Sequence, residues 1–252
     1  MLSTMMHTPM TVRMIFEHGS KLFPRSRICS FDGEKIVCEN FCETTHKVGQ
    51  LANALSKLGV KAGDRVGTFS WNNTEHMQAY LAVPSMGAVM HTINIRLSPE
   101  QIAYVINHAQ DKVLIVDGEL LEWFEPVWPL LKTVEHVLIT RTREKDVPKE
   151  WLNYDSFLQE FGSEFLWPTV DENSAAAICY TSGTTGNPKG VVYSHRTTFM
   201  HSLASRAADT FGISEADRIL LLPSMFHANA WGLPYSGWLS GSDFVLPGRH
   251  VQ

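Results

Sequence analysis

Thr181-Ser182-Gly183-Thr184-Thr185-Gly186-Asn187-Pro188-Lys189-Gly190 is the stretch on which the reading of this chain turns. It packs three glycines, four hydroxyl side chains and one lysine between two apolar, β-branched stretches. Gly183 and Gly186 permit positive φ and let an anion approach the main chain, so consecutive N–H groups can wrap around phosphate oxygens. Thr181, Ser182, Thr184 and Thr185 add short donors, and Lys189 adds a compact cation on a flexible stem. Pro188 stiffens the turn just before that cation. Such a density of donors suits a polyphosphate.

The order of residues is not that of a Walker A loop, which needs Gly-Lys followed by Ser or Thr at the start of a helix. Here Lys189 is followed by Gly190, Val191, Val192 and Tyr193, a strand-like run. The spacing therefore predicts a strand–loop–strand turn, with a helix beginning near His195. A hydroxyl-rich hairpin loop with no ligand is the alternative for any string of this composition.

Working outward, the 252 residues are 44% hydrophobic, enough for a substantial core. A net charge of −5 and the lack of a basic stripe argue against a nucleic-acid surface. Cys29, Cys38, Cys42 and Cys179 show neither a Cys-x-x-Cys pair nor metal spacing, and are expected to be reduced thiols of a cytoplasmic protein. Residues 76–95 carry no formal charge, but Pro84, Gly87, His91 and Asn94 break the run, so no membrane span is expected.

The patterning predicts a helix over 12–23 and a hairpin whose strands flank Asp32-Gly33. A helix ending at Gly59 follows. From there strands and helices alternate: strand 64–69, helix 74–86, strand 88–93, a helix from Ser98, strand 113–116, helix 119–131 and strand 134–139. Ser98 and Gln101 form a capping box with Pro99 at the first helical position. The polar stretch 140–173 holds one short helix near 154–161. A second unit runs through strand 175–180, the glycine-rich turn, helix 195–211, strand 218–222, a helix near 231–239 and strand 244–246. Repeated strand–helix–strand units imply an α/β fold of layered, mainly parallel sheets with helices on both faces. Two sub-domains are expected, 1–170 and 171–252.

The segment Tyr180–Gly190 resembles the phosphate-binding signature of the adenylate-forming enzymes: acyl-CoA synthetases, luciferases and peptide-synthetase adenylation domains. A second stretch, Pro223-Ser224-Met225-Phe226-His227-Ala228-Asn229-Ala230-Trp231-Gly232-Leu233-Pro234-Tyr235, is similar to the acyl-site motif of medium- and long-chain fatty-acyl-CoA synthetases. The run from Asp64 to Asp117 resembles the same branch. The resemblance implies the N-terminal portion of that fold, and a reaction in which ATP converts a fatty acid to an acyl-adenylate, which CoA then takes as a thioester.

By the same resemblance, Thr181, Ser182, Gly183, Thr184, Thr185, Gly186 and Lys189 hold the ATP phosphates, and Thr181 offers its hydroxyl to Mg²⁺. His227 would wall the acyl-carboxylate site, Ala228 would lie beside the adenylate, and Trp231 would line the acyl tunnel. Taken singly, His227 and Trp231 also read as ordinary core residues. The family's later motifs, a Tyr-Gly-x-Thr-Glu segment, a ribose-binding Asp and a small C-terminal domain with a catalytic lysine, do not occur here. The isolated chain is therefore expected to be catalytically incomplete. A non-catalytic nucleotide-binding or assembly module, a homodimer among its forms, is the alternative.

Overall fold

In a computed structural model that describes residues 1, 3–31, 34–142, 146–181 and 187–250, the strands form two sheets. The larger has seven strands in the order β7-β6-β5-β3-β4-β8-β9. These are β3 (Arg65–Phe69), β4 (Val89–Thr92), β5 (Asp111–Asp117), β6 (His136–Thr140), β7 (Leu152–Asn153), β8 (Ala175–Thr181) and β9 (Lys189–Ser194). Every pairing in it is parallel except β8 with β9. The smaller sheet runs β10-β11-β1-β2, from β1 (Arg27–Phe31), β2 (Ile36–Asn40), β10 (Arg218–Leu220) and β11 (Asp243–Leu246).

Strand period explains the layers. Along β5, Val113 and Ile115 point into one apolar core while Leu114 and Val116 point into another, because successive side chains alternate faces. The first core lies between the two sheets. It is filled from α1 (Val12–Leu22), α2 (Phe41–Lys57), α3 (Thr74–Ser85) and α8 (Leu233–Ser240). The second is closed by α4 (Pro99–Ala109) and α5 (Leu121–Phe124) on the far face of the large sheet. Each fully buried aliphatic side chain stabilises this arrangement by about 1.5–3 kcal/mol. The uncharged run 76–95 is thus a central helix and a central strand: Met77, Tyr80, Leu81, Val83 and Met90 are all fully buried. Among the described residues, no helix is long and apolar enough to cross a membrane.

Local rules set several boundaries where the sequence predicts them. Ser98 and Gln101 make the reciprocal capping box of α4, and α7 (His195–Ala204) opens at His195 behind a Ser194/Thr197 box. Others shift. The helix expected over 119–131 breaks into two 3₁₀ turns around α5, since Pro126 and Pro129 remove amide donors. The helix expected to reach 211 ends at Ala204, whose carbonyl accepts the Thr210 hydroxyl at 2.6 Å. Each sheet draws strands from both sides of residue 170, so the expected sub-domain division does not follow the division between sheets.

The expectation of four reduced thiols is corrected. Cys29 on β1 and Cys38 on β2 are directly opposite in an antiparallel ladder and form a disulfide. The ladder pairs Phe31 with Ile36, so four residues link the strands. A tight two-residue Asp32-Gly33 turn would instead have set Cys29 opposite Ile36, which hid the pair from sequence reading.

Candidate phosphate and acyl site

The antiparallel pair β8–β9 carries the glycine-rich turn at its open end, where Thr181 lies opposite Lys189 and Tyr180 opposite Gly190. This is the strand–loop–strand arrangement that the residues after Lys189 predict. Thr181 and Lys189 are both exposed, and the Thr181 hydroxyl lies 3.5 Å from the Lys189 carbonyl. Lys189 makes no ion pair among the described residues. Ser182, Gly183, Thr184, Thr185 and Gly186 lie outside the described residues.

The strand beneath the turn is firmly seated. The Tyr180 ring packs on His91 with 5.1 Å between centroids, and its hydroxyl is 2.7 Å from His108 Nδ1. Burial pushes that phenol up to about 12, so it remains a neutral hydrogen-bonding group. One residue earlier, the Cys179 thiol is raised by burial, stays protonated, and donates to Asn229 Oδ1 at 3.0 Å. This bond joins the strand of the glycine-rich turn to the second motif.

That motif is held from the other side by Asn72, in the loop before α3. Its amide nitrogen donates to the carbonyls of Leu221 and Pro223 at 2.8 and 2.9 Å, and its oxygen accepts from the Met225 amide at 2.8 Å. The chain then makes a left-handed turn: φ is +44° at Ala228, +49° at Asn229, +48° at Ala230, +56° at Trp231 and +70° at Gly232. Each non-glycine residue in this region costs about 1–2 kcal/mol, so neighbours must hold it. The Ala230 amide donates to the His227 carbonyl at 3.0 Å, and His201 Nε2 on α7 donates to the Trp231 carbonyl at 2.9 Å. The helix expected from Trp231 accordingly starts at Leu233, with Pro234 in its first turn.

Beside this turn is a cleft of about 520 Å³, lined by Tyr193 of β9, Thr197, Thr198 and His201 of α7, and Phe211, Ala228, Asn229, Trp231, Gly232 and Tyr235. A second apolar cleft of about 640 Å³ shares Phe211 and Trp231 with it. Ala228 and Trp231 therefore lie in a cavity wall, and Trp231 is 57% exposed rather than packed in the core. His227 is exposed too, at the entry to the left-handed turn and outside the cleft lining. The sequence reading missed Thr197, Thr198 and His201. Their spacing places them on one helix face, the signal that could have found them.

Chemically, an exposed ammonium and hydroxyl beside the glycine-rich turn suit phosphate oxygens, and the cleft that Tyr193 of the same hairpin lines suits an alkyl chain. Among the described residues no group of three metal-ligating side chains occurs. The single exposed Thr181 hydroxyl fits only a cation such as Mg²⁺ that keeps its waters and binds chiefly through phosphates.

Residues 4–252 match the AMP-binding enzyme family. The chain is 40% identical to a 3-methylmercaptopropionyl-CoA ligase of Ruegeria lacuscaerulensis, over 100% of this chain and 48% of that protein. It is 43% identical to a long-chain-fatty-acid–CoA ligase of Thermus thermophilus, over 99% of this chain and 45% of that protein. The chain thus spans about half the length of these relatives. A crystal structure of a long-chain-fatty-acid-CoA ligase from Archaeoglobus fulgidus superposes with a TM-score of 0.83, at 24% identity, over 96% of this chain and 48% of that one. The fold, the paired motifs and the match along nearly the whole chain place this protein in the AMP-binding enzyme family.

Proposed function

We propose that this chain supplies the phosphate- and acyl-binding part of an ATP-dependent ligase. That enzyme activates a medium- or long-chain carboxylic acid as its acyl-adenylate and passes the acyl group to the thiol of CoA. The observation that carries the reading is the meeting of both motifs on β8–β9: Cys179 of the turn's strand bonds Asn229 of the cleft wall. A carboxylate resists nucleophiles because of its charge, and transfer to the α-phosphate of ATP removes that obstacle. The step needs positioning and charge stabilisation rather than a covalent nucleophile.

In this reading Lys189 neutralises the β- and γ-phosphates, and Thr181 with Ser182, Gly183, Thr184, Thr185 and Gly186 supplies donors. Mg²⁺ would take the Thr181 hydroxyl as one ligand. His227, beside the turn, would face the acid's carboxylate, and Trp231 with Phe211 would flank its chain, consistent with the two clefts they share. A cytoplasmic location belongs to the same proposal.

Tryptophan fluorescence of the 252-residue chain titrated with decanoate and palmitate tests the acyl half. Saturable quenching that Trp231→Phe abolishes supports the proposal. Quenching unaltered by that substitution, or none at all, refutes the cleft assignment. The isolated chain is expected to show no fatty-acid-dependent exchange of pyrophosphate into ATP.

A further inference from the structure

The disulfide between Cys29 and Cys38 ties β2, the outer strand of the small sheet, to its neighbour β1, and neither cysteine lines the clefts. Cys38 is exposed and Cys29 half-buried. The bond is not what holds the hairpin together. The ladder pairs five positions, from Arg27 with Asn40 to Phe31 with Ile36. Glu39, next to Cys38, accepts from the Thr44 hydroxyl at 2.8 Å and from Gln78 Nε2 at 3.0 Å, and pairs with Lys47 Nζ at 2.7 Å. These contacts pin β2 to α2 and α3 whether or not the sulfurs are joined. These contacts would hold the two strands in register with the bond open, and of the two residues the exposed Cys38 is the more open to an attacking thiolate. The other two cysteines are unbonded: Cys42 is exposed, whereas Cys179 is buried and hydrogen-bonded.

We propose that Cys29–Cys38 is a reversible thiol–disulfide exchange site for a small dithiol reductant, attacked at Cys38. One thiolate of the reductant forms a bond to Cys38 Sγ as the Cys29–Cys38 bond breaks, and the electron pair leaves on Cys29 Sγ, which takes up a proton. The reductant's second thiolate then attacks its own sulfur in the mixed disulfide and releases Cys38 as a thiolate. The protein disulfide gains two electrons, and the dithiol becomes a cyclic disulfide. Re-oxidation by a small disulfide is the same exchange in reverse: one protein thiolate attacks it and expels a small thiol, and the second protein thiolate then closes Cys29–Cys38 and expels the other, made easy because the ladder holds the two thiols together.

The test is alkylation of the native 252-residue chain with iodoacetamide, read by peptide mass spectrometry. Before reduction, label is expected on Cys42 alone. After dithiothreitol without denaturant it is expected on Cys29, Cys38 and Cys42, and after oxidised glutathione on Cys42 alone again. Brief exposure to reduced glutathione, quenched in acid, should leave the adduct on Cys38. Cys38→Ser should fold with a melting temperature within a few degrees of the parent. Label on Cys29 and Cys38 before any reductant, a bond that survives native dithiothreitol, an adduct on Cys29, or a Cys38→Ser chain that does not fold would each overturn the proposal.

Discussion

The Cys179 thiol donates to the Asn229 carboxamide oxygen at 3.0 Å, and through this bond the strand leading into the glycine-rich turn holds the wall of the apolar cleft. The Tyr80 hydroxyl, 3.4 Å from the same oxygen, closes the buried cluster from α3. Asparagine suits the position twice. Its short amide tolerates positive φ better than most side chains, and its oxygen accepts from the Cys179 thiol, while the Tyr80 hydroxyl donates to the Met225 carbonyl. Replacing Asn229 with Ala takes this acceptor from the Cys179 thiol, while the Tyr80 hydroxyl keeps the Met225 carbonyl, and should cost about 1–3 kcal/mol in urea unfolding. Replacing it with Asp should recover part of that loss; an Asn229→Ala protein as stable as the parent would show that the bond carries no weight.

Gly232 separates backbone strain from collision. At φ +70°, an added Cβ would lie 2.4 Å from His201 Cδ2, whereas at Gly212, φ +62°, the nearest atom is 4.0 Å away. Gly212→Ala should cost only the conformational term, about 1 kcal/mol, and Gly232→Ala at least about 1 kcal/mol more. Thermal melts of the two variants measure the difference. Equal melting temperatures would mean that His201 yields freely and does not brace the Trp231 turn.

Glu75 predicts a pH dependence with a definite sign. Burial raises its carboxyl from 4.5 to about 7, against the pull of its own backbone N–H and of Arg141, with Asp117 and Asp155 adding to the rise. The folded chain therefore keeps a proton that the unfolded chain releases near 4.5. Stability from this group is present below about pH 4.5 and lost as pH climbs to about 7. Glu75→Gln should stabilise the protein by about 2–3 kcal/mol at pH 8 and by little at pH 4.5. Buried His76, pushed down to about 4, works in the opposite direction between pH 6.5 and 4. The variant should thus lose stability more steeply on acidification than the parent does, as denaturant titrations across pH would show.

Much of this was legible because it is local. Ser98-Pro99 with Gln101 specifies the start of α4 through side chains three residues apart, and the repeated strand–helix–strand order reads as a sheet covered on both faces. The residues after Lys189 read directly as β9, and the order of the two motifs was visible at once. What stayed hidden depends on distant neighbours. The pairing of β1 with β11 joins residues more than 200 positions apart, and no periodicity announces it. The left-handed turn at 228–232 is opposed by the preferences of Ala228, Ala230 and Trp231 and persists through contacts from α7 and β8. The Cys29–Cys38 pairing needed a register that the Asp32-Gly33 signal misplaced by two residues.

The central claim is that the turn between Thr181 and Lys189 grips a polyphosphate. Calorimetric titration of the parent and of Lys189→Ala with pyrophosphate, in the presence of Mg²⁺, tests it most directly. The account predicts saturable binding to the parent and roughly tenfold weaker binding to the variant, about 1.4 kcal/mol, with unchanged melting temperature because Lys189 is exposed. Equal affinity in the two proteins, or none in the parent, would contradict it.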